Sequence, residues 1–192
     1  LLGVRYKTQR TPGNLNNHLG VPLTLLALEE DTEYAVVEMG MSGLGEIRSL
    51  SGLAAPDAAI ITSVSEVHLA DLHTRERILQ AKLEIVEALR ANSLFIYNGD
   101  HAPLREAVAK LHLPCRQITF GVGPMNALRA ENIVVSREGT AFKLDGVSHF
   151  LPVPGRHQAV NALAAIAAAR HAGLSDDEIA AGLRRVRLTG LR

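Results

Sequence analysis

The chain has 192 residues, 47% of them hydrophobic and 21% charged, enough for one large domain with its own core or two small ones. Twenty Lys+Arg balance twenty Asp+Glu, so no overall field draws it to nucleic acid or to an anionic membrane. A single cysteine, Cys115, excludes an internal disulfide and suits a reducing cytoplasm. No apolar run approaches the ~18 residues that span a bilayer. The start at Leu1-Leu2-Gly3 has neither an initiator Met nor the basic-then-apolar pattern of a signal peptide, which reads as a trimmed beginning.

In chain order, a helical pattern runs from Val21 to Leu28, and Tyr34–Met39 reads as a buried strand. Glu46–Ala54 is a second helix, and Ala58–Ser63 a second strand. Arg75–Leu89 is the longest helical pattern, followed by the strand Leu94–Tyr97. Such alternation, with nearly continuous apolar strands, predicts an α/β fold with a mostly parallel sheet flanked by helices. After Gly121 the pattern changes to an antiparallel meander, Ile133–Ser136, Thr140–Leu144 and Val147–Val153. Turns are expected at Glu138-Gly139 and Asp145-Gly146. An Ala-rich helix from about Gln158 to Ala172 closes at Gly173. Ser175 with Glu178 forms a capping box for a last helix to about Val186. One compact domain with a small β-excursion is the simplest account.

Several residues could carry chemistry. Glu38 lies at the C-terminal end of a strand, where open parallel sheets bind ligands, so it can serve as a metal ligand or simply as a solvated acid. The loop after the next strand carries Glu66, His68, Asp71 and His73, which suit a divalent cation without naming one. Lys82 takes a core-facing place among Ile78, Leu79, Ile85, Val86 and Leu89. A buried ammonium must be paired, neutralised or modified, unless its stem carries the head out to water. The run Thr11–His18, with Asn14, Asn16 and Asn17, can cradle a polar ligand or form a turn. Gly155–Gln158 and Asn161 set polar groups at the start of the Ala-rich helix, where an amide could read a base edge or bind a neighbouring loop.

Four passages together resemble the Mur ligase family: GNLNNHLGVPLTLL, VVEMGMSGLGEI, EVHLADL with AKLEI, and GRHQAVNALAA with the terminal LTGLR. They are most similar to the branch that adds D-Ala-D-Ala to UDP-MurNAc-tripeptide. The resemblance implies a P-loop-NTPase-like central, ATP-binding domain over residues 1–192. In that family ATP phosphorylates a carboxylate, an amine attacks the acyl phosphate, and Mg²⁺ neutralises the phosphates. By resemblance, Glu38, His68 and Lys82 are the metal-binding set. Lys82 corresponds to a lysine that becomes carbamylated, and it and His68 serve the catalytic step. Asn161, His157 and Arg192 face the nucleotide, while Asn14, Asn16 and Asn17 lie beside the UDP-sugar. A cytoplasmic monomer without membrane insertion is implied.

The departures are definite. No G-x-x-x-x-G-K-S/T occurs in the 192 residues, so the resemblance puts the phosphate loop before Leu1 and the two other family domains elsewhere. Ser63 and Gln158 stand where the family usually has Asn; Ser65, His73 and Arg77 stand at Gly positions. On that footing the isolated chain is expected to be inactive. Other readings are a different Mur ligase, a folylpolyglutamate synthase-like ligase, or a non-catalytic domain retaining the fold. A dehydrogenase is disfavoured because no G-x-G-x-x-G follows a strand.

Overall fold

The structure, a computed structural model, describes residues 1–64 and 74–187. A short 3-10 turn, Leu2–Val4, precedes β1 (Thr8–Arg10), α1 (Gly20–Leu26), β2 (Tyr34–Val36), α2 (Glu46–Ala54) and β3 (Ala58–Ile61). Then come α3 (Arg75–Leu83), running into a 3-10 helix Glu84–Ala88, and β4 (Leu94–Asn98), α4 (Ala102–Lys110), β5 (Arg116–Gly121) and β6 (Leu128–Arg129). The meander is β7 (Glu131–Val135), β8 (Thr140–Leu144) and β9 (Val147–Leu151); α5 (Arg156–His171) and α6 (Asp176–Arg184) follow.

These elements fall into two compact units. The α/β unit holds Tyr6–Phe95 and His101–Gln117; the meander unit holds Leu1–Arg5, Ile96–Asp100 and Ile118–Arg192. In the α/β unit β1 and β2 pair in parallel, Gln9 opposite Ala35. A second sheet has the order β3-β4-β5-β6. The expected parallel sheet with flanking helices is therefore present.

The strands differ in how deeply they lie. Leu94, Phe95 and Ile96 of β4 are fully buried, as a continuous apolar run predicts. β2 is shorter than its pattern and exposes Ala35 and Val36, and β3 alternates, with Ile60 outward and Ile61 inward. Both sit at sheet edges among the described residues, where the apolar run outlasts the cover available to it.

The core beside β2 joins Met41 and Ile47 to Ile78 and Ala81 of α3, with Met39, Val64 and Ile85 packed on it. The pattern from Arg75 to Leu89 is not one α-helix. At Glu84 it tightens to 3-10 winding, which turns that acid inward.

In the meander unit local chemistry explains the geometry. Leu144 pairs with Val147 across Asp145-Gly146, whose φ values of 52° and 79° are those of a type I′ hairpin turn. Gly146 takes its positive φ without steric penalty. The Schellman bonds, Leu174 N–H to Ala169 O (3.0 Å) and Gly173 N–H to Arg170 O (3.1 Å), end α5 where Gly173 predicts an end. The capping box of Ser175 and Glu178 is formed in full. Glu178 also holds Arg5 through two guanidinium bonds.

Candidate functional site

Beyond β2 the chain is fixed at each step. Thr11 donates its N–H to Val36 O (3.0 Å), and its buried Oγ1 accepts the N–H of Glu38 (2.8 Å). The Asn16 amide donates to Glu38 Oε1 (2.8 Å), and Gly40 N–H donates to Asn16 O (2.7 Å). Glu38 Oε2 has no partner among the described residues. Asn17 Oδ1 accepts the N–H groups of Leu19 (3.1 Å) and Gly20 (2.9 Å), satisfying donors at the start of α1. Asn14 is exposed, and its carbonyl accepts the Asn16 N–H. The polar loop is thus both a turn and the support for the strand-end acid.

Lys82 is half-buried on α3, and among the described residues its ammonium has neither an ion pair nor a hydrogen bond. Desolvation alone lowers its pKa, which favours the neutral amine. The acid nearest in sequence, Glu84, is committed elsewhere. Glu84, 4% exposed as a residue, accepts through its carboxylate Gly45 N–H (2.6 Å) and Arg48 N–H (3.2 Å) at the N-terminus of α2. Glu84 therefore caps a helix 36 to 39 residues away in sequence, and its charge suits the positive end of that helix dipole. Sequence reading missed this residue. The signal was an acid at a three-residue step after Ile78 and Ala81, within the buried stripe.

In the meander unit Asn161 and His157 are exposed on the first turns of α5. The segment before them is pinned by Thr140, which is fully buried. Its Oγ1 donates to Val153 O (2.8 Å) and accepts Gly155 N–H (3.0 Å), fixing the Pro152–Gly155 break from which α5 starts. Thr140 also escaped sequence reading, since a Thr in a strand pattern carries no mark of a distant bond.

His68, with Glu66, Asp71 and His73, and Arg192 lie outside the described residues. Of the predicted set, Glu38, Lys82, Asn14, Asn16 and Asn17 share the α/β unit, while Asn161 and His157 belong to the meander unit. No group of three or more His, Cys, Asp or Glu able to hold a metal occurs among the described residues. What they offer a hard cation such as Mg²⁺ is the open carboxylate oxygen of Glu38; the Lys82 amine, a nitrogen, is no ligand for it as it stands. No helix among the described residues is long and apolar enough to cross a membrane.

The chain belongs to the Mur ligase middle domain family, whose model matches residues 1–169. Within it, the chain is 44% identical over 194 residues to the UDP-N-acetylmuramoyl-tripeptide–D-alanyl-D-alanine ligase of Bacillus subtilis (strain 168), covering 100% of this chain and 41% of that protein. The enzyme of that name from Escherichia coli (strain K12) is 36% identical, over 94% of this chain and 41% of the relative. A crystal structure of MurF from Acinetobacter baumannii superposes with a TM-score of 0.87 at 32% identity, over 97% of this chain and 41% of that one. MurF from Thermotoga maritima, solved in complex with ADP, gives 0.82 at 26%, over 94% and 43%. The chain spans about two fifths of the length of these relatives.

Proposed function

We propose that the chain is the ATP-binding centre of a ligase that joins D-Ala-D-Ala to UDP-MurNAc-tripeptide in peptidoglycan synthesis. The observation that carries the chemistry is Lys82, a desolvated amine without a counter-charge among the described residues. It sits on a helix whose core residues pack against Met39 and Met41, just beyond Glu38. The choice of substrates rests on the 44% identity to the Bacillus subtilis ligase along the whole chain.

In this reading the neutral Lys82 amine attacks CO₂. An N–C bond forms as one C–O π bond of CO₂ opens, one N–H proton passes to water, and the neutral amine becomes an anionic carbamate. Glu38 Oε2, His68 and the carbamate would then hold Mg²⁺, which supplies charge neutralisation at the transferring phosphate. The tripeptide carboxylate attacks the γ-phosphorus of ATP and ADP leaves. The dipeptide amine then attacks the acyl carbon, and the tetrahedral adduct expels phosphate while its nitrogen gives up a proton, leaving the amide. Asn161 and His157 face adenine, Arg192 closes the nucleotide site, and Asn14 and Asn17 border the UDP-sugar. An ATP-consuming ligase of this kind works in the cytoplasm, as a monomer, without nucleic-acid or membrane partners.

The test is phosphate release by the full-length protein with UDP-MurNAc-tripeptide, D-Ala-D-Ala, ATP, Mg²⁺ and bicarbonate. Release should depend on the dipeptide and fall by about a hundredfold or more in Lys82→Ala, as loss of a ligand to the metal requires. Turnover with a single amino acid in place of the dipeptide would assign another ligase of the family. No amine-dependent turnover at all would leave a non-catalytic domain.

A further inference from the structure

We infer that Asn16 is a positioning residue for Glu38: its amide fixes the carboxylate so that Oε2 is the oxygen presented to a divalent cation. The inference rests on the role proposed for Glu38 and gives Asn16 a task other than contact with the UDP-sugar.

Asn16 is tied on both sides. Its N–H donates to Asn14 O (2.8 Å), and its carbonyl accepts Gly40 N–H (2.7 Å). The side chain therefore leaves from a fixed point. A carboxylate only accepts hydrogen bonds, so the amide nitrogen must face Oε1, as the 2.8 Å contact has it. Gly40 leaves room for this seat: a Cβ there would stand 3.0 Å from the Asn16 amide carbon. At the other end of the acid, Thr11 Oγ1 holds the Glu38 N–H.

The backbone of Glu38 is thus set by Thr11 and its head by Asn16. The terminal torsion of a glutamate is otherwise broad and nearly two-fold, so an unsupported head would present either oxygen in varied orientations. The chemistry of the donor matters as well. An amide orients the carboxylate without cancelling its charge, whereas Lys or Arg in its place would compete with the cation. Asn16 thus brings no positive charge to the acid, with Oε2 open among the described residues.

The experiment uses Mn²⁺ as the probe, with its binding to the full-length protein followed by electron paramagnetic resonance at saturating ADP. In Asn16→Ala, Mn²⁺ affinity is expected to fall about tenfold, in the range for loss of a group that orients a metal ligand. The KM for Mg²⁺ should rise by the same factor, with kcat restored at high Mg²⁺ and the KM for the UDP-linked substrate unmoved. In a Glu38→Ala background the Asn16 change should add nothing, because it acts through Glu38. Asn16→Ser suits the turn but is too short to reach Oε1, and it carries the same expectation should the alanine variant fold poorly.

Unchanged Mn²⁺ affinity with a raised KM for the UDP-linked substrate would overturn the inference and return Asn16 to the sugar. Additive losses in the double variant would overturn it too. If Glu38→Ala itself left Mn²⁺ binding intact, the assignment of Glu38 would fall, and the inference with it; that result is distinct from a failure at Asn16 alone.

Discussion

The α/β unit and the meander unit each contain a buried polar group whose hydrogen bonds are made and a base that has no partner among the described residues. In the first, Glu84 accepts two backbone N–H groups, while two residues earlier Lys82 meets no acid among the described residues. In the second, Thr140 donates and accepts at once, while His149, 3% exposed, has neither ring nitrogen hydrogen-bonded among the described residues. Burial pushes both Lys82 and His149 below their ordinary pKa ranges. The difference lies in access. Lys82 is half-buried, on a helix packed against the segment that follows a strand-end carboxylate, so a small reagent can reach it and change its charge. His149 is sealed and stacked on Phe142 with ring centroids 5.4 Å apart, and no such chemistry is open to it. An unpartnered base marks a site only when something can come to it.

The sharpest way to break this comparison is within one turn of chain. Glu84→Ala leaves the Gly45 and Arg48 N–H groups unpaired and should lower the local stability of α2 by about 3 kcal/mol, two bonds to a charged acceptor being lost. Lys82→Met removes an unpaired cation from a half-apolar place. It should leave the same region unchanged, or stabilise it by about 1 kcal/mol. Native-state hydrogen exchange at the amides of α2 in the full-length protein reads both. Equal losses in the two variants would mean that Lys82 is paired after all, and the contrast would disappear.

Thr140→Val is the parallel change in the meander unit. It keeps the shape and removes one donated and one accepted bond, at a cost of about 2 kcal/mol. The loss should appear as faster exchange of the Gly155 amide, while β7 stays protected. Uniform loosening of all three strands would show instead that Thr140 holds the sheet and not the break before α5.

What could be read from the sequence was local. The Asp145-Gly146 turn, the Ser175 box, the Gly173 stop and Glu46–Ala54 each follow from neighbours within a few residues, and each is present. Lys82 was legible because the helical period makes a cation inside an apolar stripe conspicuous. The rest depends on partners far along the chain: Asn16 with Glu38 (22 residues apart), Glu84 with Gly45 (39) and Thr140 with Gly155 (15). No periodicity reports such pairs. Short elements went unread for a related reason: β1 and β6, of three and two residues, are too brief to show a pattern and exist only through their neighbours. α4 begins at a His101 ring nitrogen that accepts Leu104 N–H, a cap outside the usual Ser, Thr, Asp and Asn.

The smallest effect is the response of His149 to pH. Burial is the largest influence on His149 and lowers its pKa; nearby Asp176 and Asp145 raise it, and Arg170 lowers it further. Arg170 itself bridges Asp145 and Asp176, so these acids are already engaged. Unfolding releases the ring to its ordinary value near 6.5, so below that pH the unfolded meander binds a proton that the folded one resists. Stability from this group is complete above about pH 6.5 and declines as pH falls toward the lowered folded value. The loss reaches at most about 1.4 kcal/mol at a pH one unit below 6.5. Protection factors of the β8 and β9 amides, compared between pH 7.5 and 5.5, should show this decline, and His149→Phe should flatten it while retaining the ring contact with Phe142. A decline that persists in His149→Phe would assign the titration to another group, and His149 would then be paired in solution.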